Sequence, residues 1–128
     1  MGSAAVRPLS ERVVLVVDDE AMVCHLAARI LTEAGFRVLA AHDGTEALAL
    51  LTTLEGRVEM VVSDVAMPGM TGTQLAQAVT ALWPTLPLVL MSGQGGPATG
   101  YAGRFLPKPF TRGTLLDTVG DVVSLPRH

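Results

Sequence analysis

The sequence predicts an α/β fold: a doubly wound, five-stranded parallel sheet with helices on both faces. Three observations predict it. Short, wholly apolar runs rich in β-branched residues end abruptly in polar ones, as strands buried on both faces do. Helix-spaced apolar stripes separate these runs, and such alternation implies right-handed crossovers. The 128 residues, 49% of them hydrophobic, suit one domain with a full core.

Each element follows in order. Val13–Val17 is a continuous apolar run that stops at Asp18-Asp19-Glu20, and reads as the first strand. Met22, Val23, Leu26, Ala27, Ile30, Leu31 and Ala34 form a helical stripe, with Gly35 where a helix-terminating glycine belongs. Phe36–Ala41 reads as the second strand. Asp43 then precedes a helix carrying Ala47, Leu48, Leu51 and Leu54, closed by Gly56. Val58–Ser63 reads as the third strand, again ending in an acid, Asp64. After a loop with Pro68, Gly69 and Gly72, a third helix carries Leu75, Ala78, Val79 and Leu82 and stops at Trp83-Pro84. Leu86–Met91 is the fourth strand, and Phe105-Leu106 lies in a short fifth. Thr111 can cap a last helix with Leu115, Leu116, Val119, Val122 and Val123 on one face. Between Ser92 and Phe105, five glycines and a proline make a stable helix improbable, so the fourth crossover helix is expected to be shortened or absent. Residues 1–12 read as a lead-in and 13–125 as the domain.

Composition narrows the function. A formal net charge of −3 and a pI near 5.5 argue against a basic nucleic-acid footprint. Cys24, the lone cysteine, cannot form an internal disulfide and reads as a small packing residue. No apolar run reaches membrane-spanning length, and the N-terminus carries no apolar signal core. The expectation is a soluble, reduced, cytoplasmic domain without membrane contact.

In open α/β sheets, ligands bind outside the carboxyl ends of the strands. Asp18, Asp19, Asp64, Ser92 and Lys108 stand at or just beyond those ends. Three carboxylates gathered there repel: a pair of charges at 4 Å costs about 4 kcal/mol at an effective dielectric near 20. A hard divalent cation relieves that repulsion, and an all-oxygen donor set without His or Cys favours Mg²⁺ over zinc. A hard metal beside a carboxylate and a lysine suits a phosphoryl group, with the carboxylate as nucleophile. Any one of these acids alone is an ordinary helix cap; together, at successive strand ends, they are more than that.

The motifs Val-Asp-Asp-Glu (17–20), Ser-Asp-Val-Ala-Met-Pro-Gly-Met-Thr-Gly (63–72), Leu-Met-Ser-Gly (90–93) and Leu-Pro-Lys-Pro-Phe (106–110), in that order, resemble the receiver domain of two-component response regulators. The resemblance runs from about Val13 to Val123. It implies a flavodoxin-like sheet and a phosphoacceptor signalling role, with at most slow autodephosphorylation rather than metabolic turnover. It implies Asp64 as the phosphoacceptor for a phosphohistidine, and Mg²⁺ held by Asp19, by Asp18 directly or through water, by Asp64 and by the Ala66 backbone carbonyl. Lys108 would pair with the phosphate and Asp64, Ser92 would donate its hydroxyl to a phosphate oxygen, and Phe105 stands at the aromatic switch position. The Lys108–Pro109 peptide would be cis. The implied partners are a sensor histidine kinase or phosphotransfer protein and a downstream effector, and the style of the last two motifs particularly resembles receivers of hybrid sensor kinases.

Three features depart from the family pattern. Ser92 and Lys108 are only sixteen residues apart, one or two helical turns fewer than usual, so the customary output face is altered. Phe105 replaces the commoner Tyr and lacks its hydroxyl. Small Ala66, with Gln94, borders the path of an attacking water and should tune dephosphorylation. Two other readings stand beside this one. A haloacid-dehalogenase-type phosphatase would place its nucleophile in an Asp-x-Asp motif on the first strand, whereas Asp64 is followed by Val65-Ala66. A pseudo-receiver scaffold fits the stripped crossover but not the complete acid, hydroxyl and lysine set. The glycines from Gly93 to Gly96 do not open a helix as a dinucleotide fingerprint must. His25, His42 and His128 lack metal-ligand spacing.

Overall fold

A computed structural model describes residues 12–93 and 103–123. The elements run β1 (Val13–Val17), α1 (Ala21–Glu33), β2 (Arg37–Ala41), α2 (Gly44–Thr53), β3 (Met60–Asp64), α3 (Gly72–Leu82), β4 (Leu88–Ser92), β5 (Arg104–Pro107) and α4 (Arg112–Val122). All five strands pair in parallel in the order β2-β1-β3-β4-β5. The predicted sheet is therefore the observed one, and its strand order reverses direction between β1 and β3, where such folds bind ligands. The expected weak fourth crossover falls on residues 94–102, outside the described residues.

The strand alternation splits the core in two. Val14, Val16, Met60, Val62, Val89, Met91 and Leu106 face one way and pack with Cys24, Ala27, Leu31, Leu115 and Val119 of α1 and α4. Leu15, Val17, Val61, Leu88 and Leu90 face the other way against Ala47, Leu51, Leu75 and Val79 of α2 and α3. β3 and β4 are buried along their whole length, while the edge strands β2 and β5 are partly exposed. This explains why the central runs are continuously apolar rather than alternating.

Three strands begin one or two residues later than the apolar pattern suggests. The reason is local hydrogen bonding. The Phe36 N–H closes the end of α1 onto the Leu31 carbonyl, the Val58 N–H turns back to Gly56, and the Leu86 N–H turns back to Trp83. Gly35 (φ 109°) terminates α1 as expected. The end of α2 differs: Glu55 (φ 57°) enters the left-handed region together with Gly56 (φ 71°). Gly56 has a second constraint, since a Cβ there would lie 2.4 Å from the Trp83 ring. Asp43, Thr71 and Thr111 cap α2, α3 and α4 by accepting from the N–H groups of Glu46, Gln74 and Thr114. At the opposite end of the sheet from those caps, Arg12 is buried and pairs with Glu59 at 3.2 Å. Among the described residues no helix is long and apolar enough to cross a membrane.

Candidate functional site

The carboxyl ends of β1, β3 and β5 bring three charged side chains to one pocket. Asp18 follows the last residue of β1 and is fully buried. Its Oδ1 accepts from the Glu20 N–H at 2.8 Å and its Oδ2 accepts from Lys108 Nζ at 3.0 Å. Asp64 is the last residue of β3 and also buried, with Oδ1 3.2 Å from the same Nζ. Lys108 follows β5, and its backbone N–H donates to the Ser92 carbonyl at 2.8 Å, which ties the ends of β4 and β5 together. The Lys108–Pro109 peptide is cis.

A close backbone approach holds Asp64 in place. The Gly72 N–H, at the start of α3, donates to the Val65 carbonyl at 2.8 Å. A Cβ on Gly72 would lie 2.0 Å from the Asp64 carbonyl oxygen, so only glycine fits. The Ser63 hydroxyl donates to that same oxygen at 3.0 Å, and the Val65 N–H donates to Met91 at 3.1 Å. The nucleophile candidate therefore sits on a strand end fixed by its own Ser63 and by two neighbouring segments, the start of α3 and β4.

The electrostatics are those of a crowded anion site. Burial, and then the charge of Asp18, push the Asp64 carboxyl above the ordinary aspartate value, against the opposing pull of Lys108 and the Ala66 N–H. For Lys108, burial works against the ammonium, but hydrogen bonds and charges from Asp18 and Asp64 outweigh it and raise its pKa. Burial also raises the Cys24 thiol, with Asp18 adding to it, so this packing residue stays an inert thiol.

The other predicted residues fall around this centre. Ser92 ends β4 and is buried. Phe105, within β5, is half-buried and packs against the α2–α3 side of the core. Ala66 is exposed just beyond Asp64. Asp19 is exposed and lies outside the acidic group, in which one oxygen each from Asp18, Glu20 and Asp64 fall within 4.8 Å of one another. Glu20 is the member that sequence reasoning passed over. The chain bends over Asp19 and Glu20, and the Glu20 N–H donates to Asp18 Oδ1, so it is this turn and not strand alternation that brings residue 20 beside Asp18. An all-oxygen group of this kind, partly buried and short of positive charge, fits a hard divalent cation.

The family model of the response regulator receiver domain matches residues 14–120. The chain belongs to this family. It is 37% identical to the sensor kinase CckA of Brucella abortus over 86% of its own length and 12% of that relative's. Among solved structures it superposes on the receiver domain of a hybrid histidine kinase CckA with a TM-score of 0.74 at 37% identity, covering 85% of this chain and 96% of that one. The chemotaxis response regulator CheY4 of Vibrio cholerae gives 0.75 at 34% identity, covering 88% and 98%. The chain spans less than half the length of the curated relatives it matches. Receiver domains are phosphoacceptors of two-component systems, bind Mg²⁺ at an acidic pocket and partner with histidine kinases or phosphotransfer proteins. The scaffold and phosphatase alternatives are not favoured.

Proposed function

We propose that this receiver domain takes a phosphoryl group from the phosphohistidine of a sensor histidine kinase or phosphotransfer protein onto Asp64. The single observation that carries the assignment is the convergence of Asp18, Asp64 and Lys108 within hydrogen-bonding distance. An oxygen of the ionised Asp64 carboxylate forms a bond to phosphorus as the N–P bond to the donor imidazole breaks. The electron pair leaves on that nitrogen, and an acyl phosphate results. Lys108, already bonded to both acids, can follow the arriving phosphoryl oxygens as a compact ammonium on a flexible stem. Ser92, at the end of the neighbouring strand, offers its hydroxyl to another of them. Mg²⁺ would be held by Asp18, Asp19, Asp64 and the Ala66 carbonyl, and when bound supplies charge neutralisation on the transferring oxygens. Phe105 is the residue through which the phosphorylated state would reach a downstream effector. The domain spans 13–125 on this reading, works in the cytoplasm, and contacts neither membrane nor nucleic acid itself. Its own hydrolysis of the acyl phosphate is slow and tuned by the small Ala66 beside the acceptor; Gln94, the other residue expected to tune it, lies outside the described residues.

Intact-mass spectrometry tests this. With Mg²⁺ and acetyl phosphate, or a phosphorylated kinase, the protein should gain one phosphate that base and hydroxylamine remove. Asp64→Asn should gain none. A variant that still acquires the same labile group overturns the assignment.

A further inference from the structure

We propose that Glu20 supplies a carboxylate to the divalent cation of the phosphoacceptor pocket, a part that the family pattern assigns to Asp18 and Asp19 and not to this residue. The inference rests on the metal reading of the pocket given above. Glu20 Oε1 lies 3.8 Å from Lys108 Nζ, and one of its oxygens falls within 4.8 Å of oxygens from both Asp18 and Asp64. Backbone geometry aims it there: Glu20 is extended (φ −85°, ψ 109°), and its N–H donates to Asp18 Oδ1. That bond fixes the turn so that residues 18 and 20 face the pocket together. Although Glu20 occupies the capping position of α1, its side chain makes no capping hydrogen bond. The carboxylate is left directed at Lys108 instead.

Charge and size agree with a divalent guest. The carboxylates of Asp18, Glu20 and Asp64 outnumber the one ammonium beside them, Lys108, and that excess of negative charge favours a divalent guest. Oxygens bound across a Mg²⁺ octahedron lie about 4.2 Å apart, given metal–oxygen bonds near 2.1 Å. The gathered oxygens are already close to that spread. The Glu20 side chain is 65% exposed, so it can make the remaining adjustment without disturbing the core.

The test is metal affinity, read by electron paramagnetic resonance of Mn²⁺ and its displacement by Mg²⁺, on wild type and Glu20→Gln. Substituting an exposed side chain should leave the circular-dichroism melt in EDTA nearly unchanged. Wild type should bind, and Glu20→Gln should bind about tenfold more weakly. The loss should persist when salt rises from about 0.1 M to about 1 M, where screening shortens from roughly 10 Å to 3 Å and through-space attraction fades. Equal affinity of the two proteins, or a loss that disappears at high salt, overturns the role of Glu20 and leaves the metal reading standing. A wild type that binds no Mg²⁺ at millimolar concentration overturns that reading, and this inference with it.

Discussion

Asp64 holds its proton more tightly than aspartate in water because burial and Asp18 both oppose its charge. A raised native pKa favours the protonated native state. The penalty is therefore absent below the ordinary aspartate value and grows as pH rises through the raised one. Metal-free Asp64→Asn should accordingly melt above wild type at neutral pH, with the gap closing toward pH 3 in calorimetric scans. Millimolar Mg²⁺ should raise wild type more than the variant, because a ligand bound only by the native state stabilises it by mass action. Lys108 works in the opposite direction. Its raised pKa means that its stabilisation is present below the ordinary lysine value and lost as pH climbs through the higher native one. Lys108→Met leaves buried Asp18 without its cation. Urea unfolding in EDTA should show a loss of about 2–3 kcal/mol, below the 3–5 typical of fully buried pairs because Lys108 is 15% exposed.

The turn into α3 and the caps set the precision with which elements present the site. Gly72→Ala would force a Cβ onto the Asp64 carbonyl, so the turn or the strand end must shift. The expected outcome is a loss of about 2–4 kcal/mol in denaturant unfolding, together with slower phosphorylation. Gly69→Ala meets nothing within 4 Å and carries only a positive φ of 73°, so about 1 kcal/mol is expected. Thr111→Ala removes a capping box from α4 and should cost about 1 kcal/mol while sparing phosphorylation. These caps were legible: Asp43 and Thr111 stand at the starts of apolar helical stripes. Strand starts were less so, because Phe36, Val58 and Leu86 are as apolar as strand residues, yet their N–H groups close turns.

For the molecule as a whole, parallel topology was readable because burial on both faces leaves uninterrupted apolar runs at Val13–Val17 and in β3 and β4. The rim was readable because polar residues interrupt those runs where the strands leave the core. The choice between Asp19 and Glu20 was not readable by eye from composition. Both are acids, and only the direction of the chain after Asp18 separates them. Asp18, Asp64 and Lys108, residues from distant parts of the chain, converge at the carboxyl ends of the strands, beside the point where the strand order reverses. The most direct check is to phosphorylate the protein, reduce the acyl phosphate with borohydride and map the peptides by mass spectrometry. Homoserine is expected at position 64 and at no other acid. Reduction at Asp18, Asp19 or Glu20, or phosphate on a histidine or serine, would contradict the assignment of Asp64.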